Sequence, residues 1–281
     1  MNFAKKTLFL LVVSSNDKTR NDFALKTINS INEQIRFISI KNQFVVFDND
    51  STFRDHLEFI PKGSIICKSS KNIGYWSAIN WILNNYKNFF SKIFSYIYIM
   101  ESDCDQYNLK DIYKCQNWLD KNRSAASVRC QNYYKKLRIF YDKKFSFLPF
   151  YKKHQAVQHF NVITNKKVKF DKFDKENNIY STNFHTKLPA LTRLDYLLSV
   201  FKKLEKRKSF TEHDFIYEFQ KKYKETGLYD GGIYKNIHGQ PSGTVISGSF
   251  TNKNRLEELN YFQTRKDKIR TSNFRVKVDY C

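Results

Sequence analysis

The stretch that decides the fold is Tyr96-Ile97-Tyr98-Ile99-Met100-Glu101-Ser102-Asp103-Cys104-Asp105. Its first five residues are all apolar or aromatic, too few for a helix but suited to a strand covered on both faces. Carboxylates then follow at every second position, so the strand ends in an acidic turn. The same arrangement recurs upstream. Thr7–Ser14 is an apolar run that passes into Ser15-Asn16-Asp17, Phe44–Phe47 ends in Asp48-Asn49-Asp50-Ser51, and Ser64–Cys67 leads into Lys68–Asn72.

Between these runs the period lengthens. Thr19–Asn32, Ile73–Phe90 and Leu109–Leu119 space their apolar residues as helices do. Strand and helix in alternation predict an α/β fold with a mainly parallel, Rossmann-like sheet flanked by helices. In such sheets ligands bind beyond the carboxyl ends of the strands. The four acidic or polar exits therefore converge on one rim.

From about Ser124 the rhythm loosens. Ala125–Arg129, Leu137–Tyr141 and Ala156–Thr164 read as strands, and Asn165–Lys175 as a polar loop. Leu191–Glu205 and Phe215–Thr226 read as helices, the second ending at Gly227, and Asp230–Ser249 as glycine-rich loop. We divide the chain into residues 1–123, a regular α/β half, and 124–281, a less regular, helix-containing half of the same domain.

Composition limits the function. In 281 residues, 49 Lys and Arg against 27 Asp and Glu give a net charge of +22. That charge favours anionic partners such as nucleic acid, lipid headgroups or phosphorylated substrates, and part of it reflects a general richness in Lys. The longest apolar run, Leu8–Val13, is far short of the ~20 residues a membrane span needs. The N-terminal MNFAKKTLFLLVVSSND reads as a buried strand and not as a signal peptide. Cys67, Cys104, Cys115, Cys130 and Cys281 have no C-x-x-C spacing, which predicts reduced thiols and a cytoplasmic setting.

Two segments carry the chemistry. Asp103 and Asp105, past a buried strand, have the spacing to share Mg²⁺ or Mn²⁺, hard cations that phosphate oxygens also ligate. An acidic turn capping the next helix is the plainer reading of the same residues. Lys71-Asn72-Ile73-Gly74-Tyr75-Trp76-Ser77-Ala78-Ile79-Asn80 runs from a strand into a helix, where free N–H groups and the helix dipole suit a phosphate. An ordinary helix start with Trp76 in the core is the alternative.

The order V-F-D-N-D-S, N-I-G-Y-W-S-A-I-N, Y-I-Y-I-M-E-S-D-C-D over residues 7–105 resembles the family 2 inverting glycosyltransferases of the GT-A fold. The resemblance implies that Ser14, Ser15 and Asn16 lie against the nucleoside and that Asp48 recognises the base. It implies that Asn72, Gly74 and Asn80 line the nucleotide pocket, and that Asp103 and Asp105 hold Mn²⁺ or Mg²⁺ against the diphosphate of a UDP- or GDP-sugar. The turn departs from the family in having Asp50 where a glycine often precedes the serine. Glu101-Ser102 stand where apolar residues are frequent.

The same resemblance places an acceptor-activating base at the start of a late helix. Thr211-Glu212-His213-Asp214 is the matching segment, with Asp214 first choice and Glu212 second, although an N-cap explains its carboxylates equally well. His238, in Ile237-His238-Gly239, is a third candidate metal ligand. The implied acceptor is a glycan or lipid-linked hydroxyl in surface glycan synthesis.

The segment Tyr133–Lys153 interleaves lysines with aromatics, as an anionic membrane surface at the inner face or a nucleic acid would require. A β-meander with solvated lysines reads the same way. An acidic rim repels a nucleic-acid backbone, which argues against a non-catalytic nucleic-acid binder. A metal-dependent nucleotidyltransferase is the other alternative, but Ser14–Arg20 lacks the glycine-rich phosphate loop it usually carries.

Overall fold

The computed structural model describes residues 6–37, 43–90, 93–130, 170–183, 190–223, 225–237 and 265–281. The strands Leu137–Tyr141 and Ala156–Thr164, the segment Tyr133–Lys153, and His238 lie outside them.

The first half follows the alternation read from the sequence. β1 (Thr7–Val13), α1 (Lys18–Ile35), β2 (Gln43–Asp48), β3 (Ile65–Ser69), α2 (Tyr75–Phe89) and β4 (Tyr96–Glu101) come in turn. A short β5 (Cys104–Gln106), α3 (Ile112–Lys121) and β6 (Ala125–Arg129) follow. The second half adds β7 (Phe170–Asp174), β8 (Ile179–Thr182), β9 (Ala190–Arg193), α4 (Leu194–Glu205), α5 (Glu212–Lys222), β10 (Glu225–Tyr229), β11 (Tyr234–Asn236) and β12 (Val276–Tyr280).

Ten strands form one sheet in the order β12-β3-β2-β1-β4-β9-β6-β10-β8-β7, and β11 pairs with β5 separately. The run β3-β2-β1-β4 is parallel throughout. Every β1 residue is buried, and they alternate between two cores. Leu8, Leu10 and Val12 pack with α2, α4 and α5 on one face, while Phe9, Leu11 and Val13 pack with α1 and α3 on the other. Burial on both faces is why the strand reads as an unbroken apolar run.

The second half corrects several expectations. β9 is antiparallel and sits between β4 and β6, so the expected helix from Leu191 begins only at Leu194. Asn165–Lys175 is not all loop: β7 pairs antiparallel with β8 at the sheet edge, where charged residues are tolerated, and Phe173 stacks on Tyr180 at 4.3 Å between centroids. The helix expected to end at Gly227 stops at Lys222, and Gly227 lies inside β10. Its reason is packing: a Cβ there would come within 2.8 Å of both Trp118 and Val128. The C-terminal β12, unforeseen from the sequence, closes the other edge antiparallel to β3.

Candidate functional site

Register sets the strand exits level. Val13 pairs with Asp48, Asp48 with Lys68, and Val12 with Glu101. The turns after β1, β2, β3 and β4 therefore share one rim.

Three of these turns are tied by side chains. Asn72 donates to Ser14 Oγ at 3.0 Å, and its Oδ1 accepts from Asn49 at 3.1 Å and from the Gly74 N–H at 2.9 Å. Asn49 Oδ1 in turn accepts the Ile73 N–H at 2.9 Å. Asn16 also donates to Ser14 Oγ, at 3.3 Å. Gly74 has φ 85°, the left-handed region that lets the chain turn sharply into α2. Asn49 was not among the residues singled out from the sequence, yet it is central to this array.

Asp48 and Ser15 lie beneath the rim. Asp48 is fully buried, its Oδ1 accepting the Ser51 N–H at 3.0 Å and its Oδ2 facing Arg54 Nε at 3.2 Å. Ser51 Oγ accepts from the Ser15 N–H at 2.9 Å, and the Ser15 carbonyl accepts from Thr52 and Phe53. Asp50 has φ 60°, a left-handed position that Asp tolerates. Asn80 is buried on α2 and accepts from Asn84 within the helix.

The acidic turn is held from two sides. Thr27 Oγ1 on α1 donates to the Ser102 carbonyl at 2.9 Å, and the Ile237 N–H donates to the Asp103 carbonyl at 2.9 Å. The ligand atoms of Glu101, Asp103 and Cys104 lie within 4.8 Å of one another. Asp105 is not in this group; it pairs with Lys235 Nζ at 3.0 Å across the β5–β11 ladder. Burial, then the nearby Asp103 and Glu101 charges, push the Cys104 thiol well above its ordinary range. The oxygens of Glu101 and Asp103 are the ligand type that a hard cation such as Mg²⁺ or Mn²⁺ takes. Glu-x-Asp has the same spacing as the Asp-x-Asp chosen from the sequence, offset by two residues.

The start of α5 meets the start of α2. Trp76 packs on Phe215 at 4.7 Å and on Phe210 at 5.8 Å between ring centroids. Beside Trp76, burial and then the charges of Glu101, Glu212, Cys104 and Asp103 hold the Tyr75 phenol well above its ordinary range. Asp214 is differently engaged: it closes a capping box with Thr211, its Oδ2 accepting from Thr211 N at 2.7 Å, while Oδ1 pairs with Arg207 at 2.9 Å. Burial would raise its pKa, but the Thr211 bonds and Arg207 outweigh it and hold the carboxyl below the usual range. Asp214 thus has a helix-capping role, and Glu212 stands beside it in the first turn of α5.

A C-terminal strap completes the rim. Asp267 exchanges backbone hydrogen bonds with Phe210 at 2.8 and 2.7 Å, and its carboxylate accepts Trp76 Nε1 at 3.0 Å. Ser77 Oγ donates to the Lys268 carbonyl at 3.3 Å and accepts the Arg270 N–H at 3.0 Å. Nothing in the sequence period marked this segment.

No protein-family model matches the sequence, and no curated protein matches it. Among solved structures, the chain is similar to residues 1–349 of TarS from S. aureus, with TM-score 0.47 and 12% identity over 83% of this chain. It spans 60% of that chain. The same TarS fragment in complex with UDP gives TM-score 0.46 at 10% identity, over 82% of this chain and 60% of the other. A 4-diphosphocytidyl-2C-methyl-D-erythritol synthase from Anaerococcus prevotii gives TM-score 0.45 at 9% identity, over 92% of this chain and 99% of the other. Identities this low transfer no residue's role. Among the described residues no helix is long and apolar enough to cross a membrane.

Proposed function

We propose that this chain is a metal-dependent glycosyltransferase that moves a sugar from a nucleotide diphosphate sugar to a hydroxyl acceptor with inversion. The observation that carries the reading is the meeting, on one rim of a parallel sheet, of the Ser14–Asn49–Asn72 polar array and the Glu101–Asp103 oxygen pair, with α5, which begins at Glu212, packed on Trp76 at the start of α2.

The roles follow from chemistry. The polar array faces the nucleoside, and Asp48 supports the turn beneath it. Glu101 and Asp103 would hold Mn²⁺ or Mg²⁺, with Asp105 and His238 as further candidates. Such an ion neutralises charge that builds on a departing diphosphate. Glu212 takes the proton of the attacking hydroxyl, and Asp214 fixes the helix that presents it. Attack from the face opposite the diphosphate breaks the bond from the anomeric carbon to the phosphate oxygen and inverts the centre.

The acceptor in this reading is a glycan or lipid-linked hydroxyl. The net charge of +22 supports work against an anionic membrane surface.

The test is direct. Purified protein with Mn²⁺ is given UDP-, GDP- and CDP-sugars and assayed for released nucleotide, with and without simple glycan acceptors. Release from one donor class, raised by acceptor and lost in Glu101→Gln and Asp103→Asn, supports the proposal. Release from none of them, or incorporation of nucleoside monophosphate from a triphosphate, contradicts it.

A further inference from the structure

Resting on that reading, we infer that Arg270, delivered by the C-terminal strap, binds the donor's diphosphate. Its Nη1 donates to the Asn72 carbonyl at 3.0 Å, on the turn that leads into Gly74 and α2. The side chain of Asn72 is the node joining the β1 and β2 exits. Arg270 is thereby attached to the place where three strand exits meet.

Its backbone is fixed and, among the described residues, its charge is not neutralised. The Arg270 N–H is held by Ser77 Oγ at 3.0 Å, and the strap is anchored again at Asp267. Two other arginines near the rim are committed: Arg54 to Asp48, and Arg207 to Asp214 and Glu218. Asp267, the carboxylate nearest Arg270 in sequence, takes Arg265 at 3.5 Å and the Trp76 indole. Among the described residues Arg270 meets no carboxylate, and one guanidinium nitrogen is used of a group with five N–H donors.

An exposed, pre-positioned guanidinium beside a helix start suits a diphosphate by its fork geometry. It also answers a charge problem. The oxygen pair Glu101 and Asp103 neutralises one divalent ion and leaves a diphosphate's own charge unbalanced, and Arg270 offsets one unit of it.

The experiment titrates UDP, GDP and CDP, and the matching monophosphates and nucleosides, into wild type, Arg270→Ala and Arg270→Gln in Mn²⁺. The Gln variant can still donate to the Asn72 carbonyl but carries no charge. For the diphosphate that wild type binds, we expect both variants to lose about ten- to hundredfold in affinity. Nucleoside affinity should stay within about twofold, since a neutral ligand makes no use of the charge. Unchanged diphosphate affinity in both variants overturns the assignment, as does an equal loss for nucleoside and diphosphate, which would mean that Arg270 acts only through the turn. If wild type binds none of these nucleotides, the glycosyltransferase reading itself fails, a result already visible without the variants.

Discussion

Glu101 and Asp103 bring their carboxylate oxygens within 4.8 Å of each other at the exit of β4, with the Cys104 sulfur inside the same span. Asp105, by contrast, is spent on Lys235 at 3.0 Å. Mn²⁺ alone should therefore raise the melting temperature of wild type by linkage, and Glu101→Gln or Asp103→Asn should abolish that rise. Asp105→Asn should keep it and lose only the modest stability of a partly exposed pair, about 0.2–1 kcal/mol. Thermal shift against Mn²⁺ concentration reads all four proteins. A response lost in Asp105→Asn and kept in Glu101→Gln would reverse the ligand choice.

Glu212 and Asp214 should separate in kinetics. With a transferable donor, Glu212→Gln is expected to cut kcat about 10²–10⁴-fold while leaving nucleotide affinity intact. Asp214→Asn should instead weaken the cap, by about 0.5–2 kcal/mol in urea unfolding. A larger kcat loss for Asp214→Asn at unchanged stability would restore it as the base.

Asp214 also sets an acid limit. Its folded pKa lies below the unfolded value, so its stabilisation is present above about pH 4 and is lost as pH falls through the folded pKa. Arg207→Ala should shrink that loss, measured by urea midpoints between pH 2 and 5.

His56 gives a second pH window. It is fully buried, Nδ1 lies 3.0 Å from Asn21 Oδ1, and Nε2 has no partner among the described residues. Burial lowers its pKa; Asp48 and Asp55 pull the other way, and Arg54 adds to the lowering. The folded state therefore holds it neutral while the unfolded chain protonates near pH 6.5, so stability is complete above that pH and declines below it. His56→Phe should flatten the slope of unfolding free energy between pH 6.5 and 5. An unchanged slope would mean that His56 does not titrate there.

Gly227→Ala should be costly. The added Cβ would meet the Trp118 ring and Val128 Cγ2 at 2.8 Å, both in the core, where overpacking typically costs about 1–3 kcal/mol. A urea midpoint within error of wild type would show that β10 can move away from α3.

How much was legible in the sequence follows from which signals are local. β1 to β4 were readable because strands buried on both faces need unbroken apolar runs, as in Leu8–Val13 and Tyr96–Met100. Their acidic and polar exits were readable for the same reason, as abrupt breaks. Gly227 misled because a glycine required for packing against Trp118 looks like one that ends a helix. Leu191 misled because β9, at four residues, is too short to show a period before α4 begins. Asp105 and Glu101 are equivalent by spacing, and only the β5–β11 pairing, which puts Lys235 opposite Asp105, separates them. Asp267 and Arg270 act through contacts with residues 191 to 198 positions away, which no local pattern records.

The central claim, that this rim binds a nucleotide diphosphate through a metal held by Glu101 and Asp103, is tested most directly by calorimetric titration of UDP, GDP and CDP into wild type and Asp103→Asn, in Mn²⁺ and in EDTA. The account predicts that one diphosphate binds wild type in Mn²⁺ and loses at least tenfold in affinity in EDTA, with Asp103→Asn behaving as wild type does in EDTA. Binding of no diphosphate to wild type, or equal affinity in all four conditions, would contradict it.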